Sequence, residues 1–244
     1  MKKLKIEHLT FSYDKKKEIL TDINLEAAGD ETIGLIGANG VGKSTLLKLL
    51  VGLLGDYQGK ILMGGLTVKK EHFPEIRKQT GYVFQDSDSQ LFMSTVYEDV
   101  AFAPRNYGYS EDEVEKKTME ALKKVHMEAL KNRQIYRMSG GQKKLASIAT
   151  ILSMEPQILL LDEPSAALDP RNRRNLIHIL NELDGLKMIA SHDLDLIYDT
   201  CNRTVLISNG RIIKDADTKE ILTDRKLLED HGLELPLSFS RMNI

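Results

Sequence analysis

Apolar and polar positions alternate through KLKIEHLTFSY and again through EILTDINLEAA, with the charged, turn-like run Asp14–Lys17 between them. A period of two marks half-buried strands, so this stretch predicts a hairpin. ETIGLIG, which follows, is a short apolar run that ends in glycine, the pattern of a strand covered on both faces. From Thr45 the period changes, and TLLKLLVGLL carries its leucines at helical spacing until it stops at Gly55. Strand patterning returns in GKILMGG and in TGYVFQ, the latter ending at Gln85.

The middle of the chain has a different texture. SEDEVEKKTMEALKKVHMEA is charged and helix-forming, and Ser110 with Glu113 makes a capping box at its start. Strand signals resume in QILLLDEP, LKMIASHD and RTVLISNGRII, with a predicted helix RNRRNLIHILNEL between the first two. Strands alternating with helices argue for a mostly parallel sheet covered on both faces. No internal repeat, low-complexity tract or linker interrupts the pattern, which therefore predicts one domain with a helical insertion.

Composition narrows the function classes. The 244 residues suffice to bury a core, and with a net charge of -2 and lysines and arginines spread along the chain there is no basic footprint for nucleic acid. Cys201 is the one cysteine, which excludes an intrachain disulfide and a cysteine-based zinc site and fits a small core residue in a reducing compartment. MKKLKIEHLTFSYD lacks the apolar stretch of a signal peptide. No window approaches the roughly 20 apolar residues of a membrane span, so any membrane process it serves needs other chains to do the spanning.

The candidate chemistry begins at Gly37. GANGVGKST matches G-x-x-x-x-G-K-[ST] between a predicted strand and a predicted helix, with Gly37, Gly42, Lys43 and Ser44 at the fixed positions and Asn39, Gly40 and Thr45 in the same loop. Gly40 and Gly42 let the backbone turn its N–H groups onto phosphate oxygens, Lys43 reaches the β- and γ-phosphates, and the Ser44 hydroxyl suits Mg²⁺. ILLLDEP supplies the second element. Asp162 follows four aliphatic residues, at the carboxyl edge of a buried strand, where it can hold Mg²⁺ or its water. Glu163 stands next, close to the metal yet offset from it, placed to take a proton from an attacking water. Taken alone, Asp-Glu-Pro reads as a strand-terminating turn; the phosphate loop is what turns the reading towards catalysis. A second glycine-rich stretch, RMSGGQKKLAS, sets Ser139 ahead of Gly140 and Gly141 at the start of an amphipathic helix, the build of an anion-binding helix N-terminus.

With the phosphate loop, MSGGQ and LLLDEPSAALD in that order, the chain resembles the nucleotide-binding subunits of ATP-binding-cassette (ABC) transporters over nearly its whole length. The resemblance implies a P-loop NTPase of α/β class: a RecA-like, mostly parallel sheet with an antiparallel N-terminal β subdomain and an inserted α-helical subdomain. It divides into a core at about 1–85 and 155–230, an insertion at about 86–154 and a short extension at 231–244. ATP and Mg²⁺ are implied, with hydrolysis as the reaction. Ser139, Gly140, Gly141 and Gln142 match the signature motif, which in that family closes over the γ-phosphate held by a second subunit, so a head-to-tail homodimer or a heterodimer with a paralogous ATPase is implied too. Position by position, Tyr13 matches the aromatic that stacks on adenine and Gln85 the glutamine that touches Mg²⁺ and the attacking water. Asp169 matches the aspartate linking the two composite sites, and His192 the histidine that contacts the γ-phosphate. The implied metal contacts are Ser44, Gln85 and Asp162, and the implied catalytic residues are Glu163, His192 and Gln85.

Three departures from the family pattern stand out: Met138 for leucine before the signature serine, Leu145 where arginine commonly sits, and Ala167 where glycine often precedes the leucine of SAALD. DSDSQLFMSTVYEDVAFAPRNYG and LLEDHGLELP are similar to the energising subunits of energy-coupling-factor and cobalt or nickel importers. That similarity implies a peripheral protein on the cytoplasmic face of the cell membrane, energising uptake of a metal ion or vitamin. Its transmembrane partners would dock near Gln85–Pro104, in an exposed groove mixing Leu91, Phe92, Val96 and Tyr97 with Glu98 and Asp99. A rival class, soluble ABC ATPases acting on nucleic acid or ribosomes, usually carries two cassettes or a long coiled-coil insertion, and neither is present here. A non-hydrolysing regulatory module is opposed by Glu163 and His192.

Overall fold

The computed structural model describes residues 2–14, 16–166 and 168–240. Two sheets share the chain. Strands β1 (Lys2–Phe11), β2 (Leu20–Ala28), β4 (Gln58–Met63) and β5 (Leu66–Thr67) form an antiparallel sheet in the order β2-β1-β4-β5. The central sheet takes β3 (Thr32–Ile36), β6 (Thr80–Val83), β7 (Ile158–Asp162), β8 (Leu186–Ala190), β9 (Arg203–Ser208) and β10 (Arg211–Asp217) in the order β10-β9-β3-β8-β7-β6. From β9 to β6 its pairings are parallel; β10 joins antiparallel at one edge.

Burial explains the patterning. β3, β7 and β8 are buried at every position, whereas the edge strand β10 alternates between exposed and half-buried residues. In β7, Leu159 and Leu161 join a core cluster with Val100, Ala146 and Leu176, while Ile158 and Leu160 face a second cluster with Leu4, Ile6 and Leu46. A strand whose alternate side chains enter different cores has no polar face, which is why ILLL is unbroken. The first cluster fills the space between the sheet and the helices α3 (Val96–Asn106), α4 (Glu111–Lys124), α5 (Gly140–Leu152), α6 (Pro170–Glu182) and α7 (Leu194–Thr200); the second lies around α1 (Lys43–Leu50) and the antiparallel sheet, with α2 (Phe73–Gln79) at its rim. Cys201 belongs to the first cluster, and burial pushes its thiol up to about 12.

Several boundaries move from those the sequence predicts. The helix after the phosphate loop ends at Leu50 because Gly52 turns left-handed at φ 64 with the Phe73 ring against it. The strand predicted to reach Gln85 stops at Val83. The predicted Ser110 capping box is present with both bonds, on a helix ending at Lys124. α2, α3 and α7 are unanticipated; α3 opens on a second capping box, Thr95 with Glu98. Ala167, flagged as a departure, lies outside the described residues, as does Lys15 of the predicted turn.

Candidate functional site

The strand order brings the predicted residues together. β3 leads into the phosphate loop, β7 into Glu163, β8 into His192 and β6 towards Gln85, so four adjacent parallel strands deliver their residues to one carboxyl edge. There a cavity of about 500 Å³ is lined by Tyr13, Asn39, Gly40, Gly42, Lys43, Ser44, Thr45, Gln85, Glu163 and His192, with Ile19 beside them.

The loop itself is tightly wedged. A Cβ on Gly37 would sit 2.2 Å from the Ile207 carbonyl oxygen and one on Gly42 2.6 Å from Leu20 Cδ2, and both backbones are at positive φ. α1 opens at Gly42 with no side-chain cap, which leaves its first-turn N–H groups available to an anion. Lys43 curls back over the loop, its Nζ donating to the carbonyls of Gly37 at 2.7 Å and Ala38 at 3.2 Å. Burial draws its pKa below the ordinary lysine value, while the charges of Glu163 and Asp162 act to hold it up.

Opposite Lys43, the Ser44 hydroxyl donates to Asp162 Oδ1 at 2.8 Å. The other carboxylate oxygen accepts from the Tyr82 hydroxyl at 3.0 Å. Burial and the Asp162 charge raise the Tyr82 pKa, so the phenol remains a donor. Among the described residues no group of three or more His, Cys, Asp or Glu is arranged to hold a metal. A serine hydroxyl, one carboxylate and a nearby glutamine form a hard-oxygen set of the sparse kind that suits Mg²⁺, which keeps its waters and takes further ligands from substrate phosphates.

Glu163 follows β7 in a left-handed conformation, φ 45, fixed by its N–H donating to the Ala190 carbonyl at 2.8 Å. Its Oε2 accepts from the Ser191 hydroxyl at 3.1 Å and the His192 N–H at 3.2 Å, and His192 Nδ1 lies 2.8 Å away. The carboxylate is buried while the His192 side chain is 64% exposed, so one ring nitrogen is occupied by Glu163 and the rest of the ring faces the cavity mouth. Sequence reasoning missed Tyr82 and Ser191, since no local motif marks either.

Tyr13 reaches the cavity from the antiparallel sheet. Its hydroxyl is 3.0 Å from Thr45 Oγ1 and its ring stands edge-on to Phe11 at 5.0 Å, with the residue 61% exposed. Ser139, Gly141, Gln142 and Asp169 do not line this cavity. Ser139 and Gln142 cap α5 reciprocally, and Gly140 borders a neighbouring cavity of about 590 Å³ that also touches Ser44, Gln85 and Asp162. Asp169 caps α6, accepting from the Arg171 and Asn172 N–H groups at 2.9 Å each; the Asn172 and Arg171 bonds draw its pKa down despite some desolvation.

The predicted exposed groove requires correction. Leu91, Val96 and Asp99 are buried, because α3 turns Val96, Asp99 and Val100 inward and Asp99 Oδ1 caps the backbone N–H groups of Phe92 and Met93 at 3.0 and 3.1 Å. The accessible surface there is instead Phe92 and Phe102, 65% and 40% exposed and stacked edge-to-face at 4.8 Å. Leu145, in the place of the family arginine, is 6% exposed within the first core cluster. Met138 is buried in the same cluster.

The ABC transporter family profile matches residues 20–166. A putative ABC transporter ATP-binding protein of Gloeobacter violaceus is 45% identical over 98% of this chain and 98% of its own length. The energy-coupling factor transporter ATP-binding protein EcfA of Carboxydothermus hydrogenoformans is 41% identical over 96% of this chain and 87% of its own. Among solved structures, cbiO1 from Clostridium perfringens, described as part of the ABC transporter complex cbiONQ, superposes with a TM-score of 0.85 at 35% identity, covering 100% of this chain and 99% of that one.

Proposed function

The chain belongs to the ATP-binding proteins of ABC transporters, close to the energy-coupling-factor ATPases of the EcfA and CbiO type, and from that premise we propose that it hydrolyses ATP with Mg²⁺ to energise uptake of a small solute through separate membrane subunits. The observation that carries the reading is the convergence of Lys43, Ser44, Gln85 and the Glu163–His192 pair on one cavity at the carboxyl edge of the parallel strands, with Asp162 bonded to Ser44 at its border with the neighbouring cavity.

In this reading the uncapped start of α1 and the loop N–H groups bind the phosphates, and Lys43 exchanges its two carbonyl partners for β- and γ-phosphate oxygens. Ser44 and Asp162 would hold Mg²⁺, whose charge neutralises phosphate oxygens as negative charge shifts between them. Tyr82 keeps the second oxygen of Asp162 engaged and so fixes the carboxylate's orientation. Glu163 accepts the proton of a water aligned by Gln85. His192, steered by its bond to Glu163, turns its free ring edge to the γ-phosphate. Tyr13 releases Thr45 to stack on adenine.

The signature residues act on a second subunit's nucleotide, a division of labour supported by Ser139, Gly141 and Gln142 standing outside the cavity formed by this chain's own loop. Dimerisation, of two copies or with a paralogue, then completes the site. The core spans about 1–85 and 155–230, and the insertion at 86–154 presents Phe92 and Phe102 to the transmembrane subunits. No helix among the described residues is long and apolar enough to cross a membrane, which agrees with separate spanning chains.

The test is purification of the chain with its co-purifying membrane subunits, followed by phosphate release from ATP and uptake of radioactive Co²⁺, Ni²⁺ or a vitamin into vesicles. Mg²⁺-dependent release that Lys43→Ala abolishes, together with ATP-driven uptake, is expected. Absence of phosphate release in the intact complex refutes the hydrolytic reading.

A further inference from the structure

Just past the signature glycines stands a lysine whose surroundings explain how Gln85 is held. Lys144, in the second turn of α5, is 2% exposed, and an ammonium group so deeply buried requires partners. Its Nζ donates to the Phe84 carbonyl at 2.9 Å and the Gln85 carbonyl at 2.7 Å, the point where the chain has left β6 and become loop. A second side chain bridges the same gap in the opposite direction. Gln90 Oε1 accepts from the Phe84 N–H at 3.1 Å, while its Nε2 donates to the Ser147 carbonyl at 2.7 Å and Thr150 Oγ1 at 2.9 Å. At the rim, Lys143 pairs with Asp88 at 2.6 Å. Segment 84–90 is therefore tied to α5 at 143, 144, 147 and 150, positions spaced to share one face of a helix.

The charge-assisted pair is the strongest of these ties, because one buried cation takes two backbone carbonyls at once. Leu145, beside it, packs into the core and holds α5 from behind.

We propose that Lys144 is a positioning residue for Gln85, locking loop 84–90 to the signature helix so that the two move as one body. The inference rests on the ATPase reading above, in which Gln85 serves this chain's own nucleotide and the start of α5 serves the other subunit's. Engagement of the signature with one site then sets the position of Gln85 in the other, and among the ties between them Lys144 is the one that holds the Gln85 backbone itself.

The experiment uses the full chain in its purified complex. Lys144→Met keeps the apolar stem and removes the donor; Lys144→Arg restores a cation. Expected for Lys144→Met is a kcat loss of about tenfold with KM for ATP within about twofold, both largely recovered in Lys144→Arg. Hydrogen exchange of the 84–90 amides rises about fivefold or more in the methionine variant and returns in the arginine variant. In a Gln85→Ala background, Lys144→Met costs no further turnover, since the lysine acts through that glutamine. Should Lys144→Met fail to fold, Gln90→Leu cuts the same brace from the other side and carries the same expectations. Unchanged exchange overturns the proposal, as does a kcat loss that multiplies with that of Gln85→Ala or an effect confined to KM. If the parent complex hydrolyses no ATP, the functional reading fails by itself, and the exchange experiment still decides whether the brace exists.

Discussion

Replacing Glu163 by glutamine tests the chemistry at its narrowest point. In the structure a single carboxylate oxygen, Oε2, receives Ser191 Oγ and the His192 N–H, with His192 Nδ1 close by. A glutamine carbonyl oxygen in that place still accepts from both donors, so the buried pocket stays satisfied and the fold should change little, by about 1 kcal/mol or less. Glu163 makes no hydrogen bond to Lys43 or Ser44, whose partners are loop carbonyls and Asp162. Removing its negative charge also removes a repulsion on incoming phosphate, so ATP should bind as tightly as before or more so. What glutamine cannot do is accept the proton of the attacking water. General-base assistance contributes roughly 10² to 10⁴ in rate, equivalent to about 3 to 5 kcal/mol of barrier. We expect kcat to fall by that range in a phosphate-release assay at saturating ATP, with equilibrium ATP binding retained and a dimer trapped on a sizing column. Turnover within about threefold of the parent, in a variant that binds ATP, would refute the assignment.

Mixing a Lys43→Ala subunit with a Ser139→Arg subunit pairs one intact phosphate loop with one intact signature per heterodimer, so two inactive parents should recover up to about a quarter of normal turnover after random exchange; a mixture as dead as its parents argues against signature action between subunits. Asp193 supplies a pH prediction. It accepts from Arg173 Nε and Nη2 at 2.6 and 2.8 Å and caps α7 through the Leu196 N–H at 2.9 Å; burial would raise its pKa, but the Arg173 bonds outweigh that and hold it below the ordinary 3.8. Its stabilisation is thus complete above 3.8 and disappears as the pH falls through the depressed folded value. Asp193→Asn should lower Tm at neutral pH by more than it does at about pH 3, and an offset that is the same at every pH in thermal melts would contradict this.

Much of this architecture is written locally. The hairpin, the buried strands and the phosphate loop are each carried by consecutive residues, and alternation or unbroken aliphatic runs translate directly into faces of a sheet. Asp162 and Glu163 are a weaker case, intelligible only once a phosphate loop is known to accompany them. Tyr82 and Ser191 lie beyond local reading because their partners are set by strand order. Tyr82 meets Asp162 only because β6 lies beside β7, and Ser191 meets Glu163 only because β8 lies on the other side. The over-read groove has a different cause. Leu91, Val96 and Asp99 look like a mixed surface in a list of letters, but Leu91 packs into the first core cluster ahead of a helix that Thr95 and Glu98 start, Val96 and Asp99 occupy that helix's inner face, and the carboxylate there serves to cap backbone. Leu145 likewise looks like a lost charge in the sequence and is a core side chain in the fold. The function of Lys144 depends on a loop some 60 residues away, a distance no motif spans.

Cys201 has a practical consequence. Nearly all of its surface is covered and its thiol is held close to pKa 12, so at neutral pH there is almost no thiolate to attack an alkylating reagent. The unmodified chain is therefore expected to react only slowly with maleimides and thiol-directed nitroxide labels. A cysteine installed at Phe92, beside Phe102, or at Tyr136, which is 71% exposed, becomes the sole attachment point for a dye or spin probe, with no native thiol to engineer away first.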